Sequence, residues 1–132
     1  MARFYDIDEA NAQLERLRPV LERLRADRDG VAEVQAELVR LRGTDGSRQH
    51  AQELREREQR IRVLVRRMQE AVAQIEAWDV TLRDIGTGLI DFPALANGRP
   101  IWLCWRLSED RIGWWHEHDT GFDARKPLLE LT

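Results

Sequence analysis

Apolar residues recur every three or four positions through the first two-thirds of this chain. The first stripe is Leu14, Leu17, Leu21 and Leu24, continued by Val31, Val34, Leu38 and Leu41. That spacing is the seam of a coiled-coil-like helix. Asp8 stands where an N-cap belongs, and Asp8-Glu9 set negative charge against the helix dipole. Pro19 lacks a backbone donor and predicts a kink or a fresh start, and Asp29-Gly30 is a second weak point. The stretch reads as one long, bent helix. Gly-Thr-Asp-Gly-Ser at 43–47 breaks the pattern. A second stripe (Ala51, Leu54, Ile61, Leu64/Val65, Met68, Val72, Ile75, Trp78, Leu82) predicts a helix over 48–85, ended by Gly86 and Gly88. Two such helices on a short loop form an antiparallel hairpin. Its apolar bulk lies at the open end, whereas residues 40–60 are mostly Arg, Glu and Gln, a solvated coiled-coil tip.

Beyond residue 88 the period changes to two. Residues 89–95 alternate, Asn97-Gly98 is the strongest two-residue hairpin signal, and residues 101–107 and 112–118 read as two further strands. The prediction is a three-stranded antiparallel meander. Pro93 and Pro100 require its first strand to be an edge and its second to begin near Ile101. The Asn97-Gly98 turn pairs Ala96 with Arg99, Phe92 with Leu103 and Ile90 with Trp105. A four-residue turn at 108–111 pairs Leu107 with Ile112, Trp105 with Trp114 and Leu103 with His116. Both turns place Ile90, Phe92, Leu103, Trp105, Leu107, Ile112 and Trp114 on one face, which covers the open end of the hairpin. The other face carries Asp91, Trp102, Cys104, Arg106, Trp115 and Glu117.

The 132 residues fit a single α+β domain, with the hairpin at 8–85 and a tryptophan-rich meander and C-terminal loop at 86–132. A net charge of −3 disfavours a generic nucleic-acid binder. No apolar run reaches the roughly 18 residues of a membrane span, and residues 1–10 lack the form of a signal peptide. One cysteine cannot form an internal disulfide, which fits a reducing cytoplasm.

Cys104 with His116-Glu117-His118 suggests zinc, but the predicted register sets the cysteine and the histidines on opposite faces, so no metal site is expected. Cys104 reads as a small, half-buried hydrophobe, and His116 as a partly buried histidine with a hydrogen-bond partner. The polar set with most chemical content is Asp91, Glu109 and Glu117 with Arg99, Arg106 and Arg125. Arginine forks suit carboxylates or phosphates, and the faces of Trp102 and Trp115 suit stacking. Together with His116 these are the candidate ligand-binding residues. The bland alternative is an ion-pair network that fixes the last loop to the sheet.

The run Gly88-Leu89-Ile90-Asp91-Phe92-Pro93, then Gly98-Arg99, Leu103-Cys104-Trp105, Glu109, Trp115-His116-Glu117, Gly121-Phe122 and Arg125 resembles an uncharacterised prokaryotic family, domain of unknown function 2203. Phe4, Ala10 and Asn11 loosely match that family's opening, so the resemblance covers nearly the whole chain. It implies no activity or cofactor; it marks Asp91, Glu109, His116, Gly121 and Arg125 as motif positions. The chain departs from the pattern at Ser108, where the family carries glycine, and at His118.

Two function classes stay open. The favoured one is a non-enzymatic cytoplasmic interaction or scaffold protein that pairs as a homodimer or with a protein partner through its hairpin. The other is a small-ligand-binding protein or metal-dependent enzyme with its site on the C-terminal sheet.

Overall fold

The first helix, α1 (Ile7–Arg42), starts earlier than the charge pattern suggested, because Asp6 rather than Asp8 is the N-cap. The Asp6 carboxylate accepts from the Glu9 amide at 2.7 Å, and the Glu9 carboxylate accepts from the Asp6 amide. This capping box satisfies donors that a helix start leaves open. The helix then runs through Pro19 and Gly30 without a restart. An interior proline costs about 3 kcal/mol. Leu17, Leu21 and Leu24, none more than 1% exposed, anchor the turns on either side of it. Ser47 caps α2 (Arg48–Ala77) by accepting from the His50 amide. The computed structural model describes residues 3–44 and 46–131. Asp45, within the expected break, lies outside them, as do Thr132 and the Met1-Ala2 start of the segment read for a leader. Ion pairs Asp27–Arg67, Glu37–Arg57 and Arg42–Glu58 fix the two helices antiparallel, and Gly30 lets Leu64 approach α1 closely.

Helix α2 stops at Ala77 rather than near residue 85. Asp79 adopts a left-handed φ of 58°, its amide bonds Glu76 O, and the Val80 amide bonds Ile75 O. These bonds close a Schellman-type end. The residues that seemed to continue the stripe instead form β1 (Thr81–Asp84). Gly88 is therefore not a helix cap. It carries a φ of 66° ahead of β2 (Leu89–Ala96), and a Cβ there would meet the Leu107 side chain at 2.5 Å.

With β3 (Arg99–Trp105), β4 (Trp114–Glu117) and β5 (Lys126–Pro127), the sheet has five antiparallel strands in sequence order, not three. The strand of Pro93 is thus internal, contrary to expectation. Its proline is tolerated because β1 reaches only as far as Asp91, and Pro93 O accepts from the Tyr5 amide beyond it. The Asn97-Gly98 turn gives the predicted pairs, Ala96 with Arg99, Phe92 with Leu103 and Ile90 with Trp105.

The next connection departs from prediction. Cys104 pairs with Trp114, Leu103 with Trp115 and Trp102 with His116, so an odd-length loop at 105–113 replaces the four-residue turn. A slip of one residue exchanges the faces of a whole strand. Trp115 enters the core at 4% exposure, and Trp114 and His116 turn outward. The loop carries a turn of its own, in which the Glu109 amide bonds the Arg106 carbonyl and the Glu109 carboxylate accepts from the Arg106 amide. It is docked on α1: Asn11 Oδ1 accepts from the Ile112 amide at 2.8 Å, and Arg18 donates to the carbonyls of Glu109 and Asp110. The core lies at the open end of the hairpin. There Leu14, Leu17, Leu21, Leu24 and Ile75 pack on Ile90, Phe92, Leu103, Trp105 and Trp115. Tyr5 stacks edge-on to Phe92 and donates its hydroxyl to the Trp78 carbonyl. Among the described residues no helix is long and apolar enough to cross a membrane.

Candidate functional site on the outward face of the sheet

Strand alternation places Asp91 of β2, Cys104 of β3 and His116 of β4 side by side on the face turned away from the helices. Asp91 and Cys104 are direct cross-strand partners, and His116 lies diagonal to Cys104. All three residues are buried, at 1–2% exposure, and their potential ligand atoms lie within 4.8 Å of one another. The expectation of no metal site rested on a register that separated Cys104 from His116; the observed register joins them.

Asp91 Oδ2 accepts from Arg83 Nε at 2.9 Å and lies 3.1 Å from His116 Nε2. The other ring nitrogen, Nδ1, is 2.9 Å from the Glu117 carbonyl oxygen. A carbonyl can only accept, so Nδ1 carries a hydrogen. Asp91 Oδ1 is buried and has no partner among the described residues. Burial pushes the Cys104 thiol up to about 12; the Asp91 charge adds to this, and the Arg125 guanidinium opposes it.

A cleft of about 320 Å³ opens over this group, lined by Arg83, Asp91, His116, His118, Thr120 and Phe122 among others. Trp102 stacks on His118 with ring centres 4.7 Å apart, and Arg83 lies over the same indole. Beside the cleft, Arg125 Nη1 donates to Glu109 Oε2 at 2.8 Å, with both side chains about 15% exposed or less. The Arg125 guanidinium also covers the rings of Trp114 and Phe122, and Arg106 lies over Phe122. These contacts strap the C-terminal segment across the outward face.

Of the predicted ligand residues, Asp91, Trp102 and His116 thus meet around the cleft, and Arg106, Glu109 and Arg125 form the adjoining strap. Arg99 and Glu117 pair with each other at 2.8 Å outside the cleft, and their side chains are 58% and 32% exposed. Trp115 belongs to the core face. Sequence reasoning missed Arg83, because Leu82 extended the helical stripe over it. It also set Cys104 aside as half-buried and left Asn11 and Arg18 without a role. Alternation in Thr81–Asp84 before a glycine turn was the available signal for the extra strand.

The model of the family described as Uncharacterized conserved protein (DUF2203) matches residues 3–128, and the chain belongs to that family. Neither a search of curated proteins nor one of solved structures gives a match. The five motif positions noted above come together on the outward face: Asp91, His116 and Gly121 line the cleft, and Glu109 pairs with Arg125.

Proposed function

We propose that this member of an uncharacterised family binds a small polar ligand in the cleft on the outward face of its sheet. The observation that carries this reading is Asp91 Oδ1, a carboxylate oxygen that is buried beneath the cleft and has no partner among the described residues. An unsatisfied buried acceptor costs on the order of 1–3 kcal/mol, and more when charged. A purely structural ion pair gains nothing by leaving it bare. The cleft lies at the small end of the range typical of ligand sites, roughly 300–1,000 Å³. Arg83 and His118 can receive an anionic group, the Asp91 and Asp119 carboxylates call for a hydrogen-bond donor on the same ligand, and Leu89 and Phe122 offer an apolar wall. His116 Nδ1 is taken up by the Glu117 carbonyl, and its Nε2 faces the Asp91 carboxylate. Burial pushes the Cys104 thiol up to about 12, so neither side chain stands ready as a general base or nucleophile. The reading is therefore one of binding.

Inorganic phosphate, succinate and a nucleoside monophosphate are the probes, each tested by thermal shift. A ligand at about 100 times its Kd adds about 2.7 kcal/mol, a rise of roughly 10 °C for a domain of this size. The rise should vanish in Arg83→Gln, whose partly exposed side chain can be changed without unfolding the protein. An equal rise in the variant, or none in the wild type, would remove the reading.

A second reading, pairing of the hairpin with another copy, is favoured by one apolar groove. Val31, Val65, Met68 and Val72 line it, with Arg28 and Glu76 at its rim. A two-fold contact sets Arg28 of one copy against Glu76 of the other. Val65→Glu should convert a dimer to a monomer in sedimentation. A wild-type monomer at tens of micromolar argues against the pairing.

A further inference from the structure

A neutral histidine has one N–H, and His116 spends it on the Glu117 carbonyl. Its Nε2 then turns a lone pair toward Asp91 Oδ2, 3.1 Å away. Two acceptors at that distance repel unless a positive species satisfies them. A proton on Nε2 would satisfy Oδ2 and leave Oδ1 as bare as before. Arg83 likewise serves Oδ2 alone. The atoms still in need of a partner are Asp91 Oδ1 and His116 Nε2, and the Cys104 sulfur lies in the same group.

We propose that Asp91 Oδ1, Cys104 Sγ and His116 Nε2 are the protein ligands of a divalent transition-metal ion of the zinc class. This rests on the reading of the outward face as a ligand site and specifies what occupies its floor. One oxygen, one sulfur and one nitrogen form a borderline-soft set; calcium and magnesium take oxygen ligands instead. Ligands about 2.0–2.3 Å from a tetrahedral ion lie roughly 3.3–3.7 Å from one another. One carboxylate oxygen of Asp91, the Cys104 sulfur and one ring nitrogen of His116 lie within 4.8 Å of one another, so a contraction and carboxylate rotation within side-chain reach assemble the shell. The Nδ1–H bond to Glu117 O and the Arg83 bond to Oδ2 are the outer contacts that orient a ligating imidazole and carboxylate.

Three protein ligands leave a fourth position, and two of the three line the cleft, so exogenous ligand or water completes the shell from that side. Binding is balanced simply: the Cys104 S–H bond breaks, a sulfur–metal bond forms, and the proton passes to solvent. The carboxylate and thiolate neutralise the ion's two charges. Arg125 does not oppose it strongly, because Glu109 already balances that guanidinium.

The experiment is a titration of chelator-treated protein with Co²⁺. One equivalent should bind, with the strong visible bands of a tetrahedral ion, a near-ultraviolet sulfur-to-cobalt band and release of one proton. Zn²⁺ should bleach the spectrum. Cys104→Ser should lose the sulfur band and weaken binding by at least the roughly 10–100-fold that loss of an outer-shell contact costs, with its fold checked by circular dichroism. Weak binding with the pale spectrum of hydrated cobalt overturns the metal centre, as does an unchanged spectrum in Cys104→Ser. If the cobalt spectrum is absent and the protein still shows an Arg83-dependent shift with phosphate, succinate or nucleotide, the metal centre alone falls. A cobalt spectrum without any such shift upholds the metal centre and sinks the polar-ligand reading.

Discussion

Trp105→Ala is expected to lower the unfolding free energy by about 4 kcal/mol, within the range for emptying a large aromatic site. Trp105 is 0% exposed and sits in the cluster where sheet and hairpin meet. It pairs with Ile90 across β2, and Arg18 of α1 lies over its ring at 4.9 Å. Its removal therefore opens a cavity and frees an arginine that also holds the 105–113 loop. One effect works the other way. The Trp105 indole N–H is buried without a partner among the described residues, so its loss removes an unsatisfied donor. Trp105→Phe keeps much of the ring, discards that donor, and should cost only about 1 kcal/mol. Urea unfolding followed by circular dichroism measures both. A loss under about 1.5 kcal/mol for Trp105→Ala would mean that the sheet does not depend on this contact with α1.

Asp91→Ala in metal-free protein is expected to lose about 3 kcal/mol, the upper end of the cost of leaving buried polar partners unsatisfied. The loss is asymmetric between its partners. Arg83 is 43% exposed and can turn to water, whereas His116, at 2%, keeps a buried nitrogen with no carboxylate beside it. Arg83→Gln should therefore cost under about 1 kcal/mol, as a half-exposed pair does. Asp91→Ala removes the middle of the Arg83–Asp91–His116 chain, whereas Arg83→Gln removes only its exposed end. Equal losses would show that the surface arginine, not the buried imidazole, is what Asp91 serves.

The family opening gains a physical meaning from the structure. Ala10 is fully buried against the core, and Asn11 supplies the acceptor for a loop amide 101 residues away. Together with Arg18, it couples the start of α1 to the strand that carries His116. The outward face is thus positioned from both ends of the chain.

The sequence by itself determined the elements whose signals are local. Leucines at spacings of three and four define α1, small polar residues mark the break before Ser47, and Asn97-Gly98 sets the β2–β3 register. Each of these acts within one turn of a helix or one hairpin, so neighbouring residues carry the whole signal. Tertiary structure decided the rest. Trp78 and Leu82 extend a helical stripe equally well as they fill other roles, and only the left-handed Asp79 with its Schellman bonds ended α2 and released Thr81–Asp84 into the sheet. The β3–β4 register was ambiguous for a similar reason. Trp114 and Trp115 are adjacent and equally apolar, so either can fill the core while the alternation still looks sound. The choice fell to the Asn11 bond at Ile112 and the Arg18 bonds at Glu109 and Asp110, which dock the loop on α1. That choice put Trp115 inside and brought His116 to Asp91 and Cys104. The candidate site depends on a one-residue frame that no local pattern encodes, because its energy comes from contacts about a hundred residues apart in the chain.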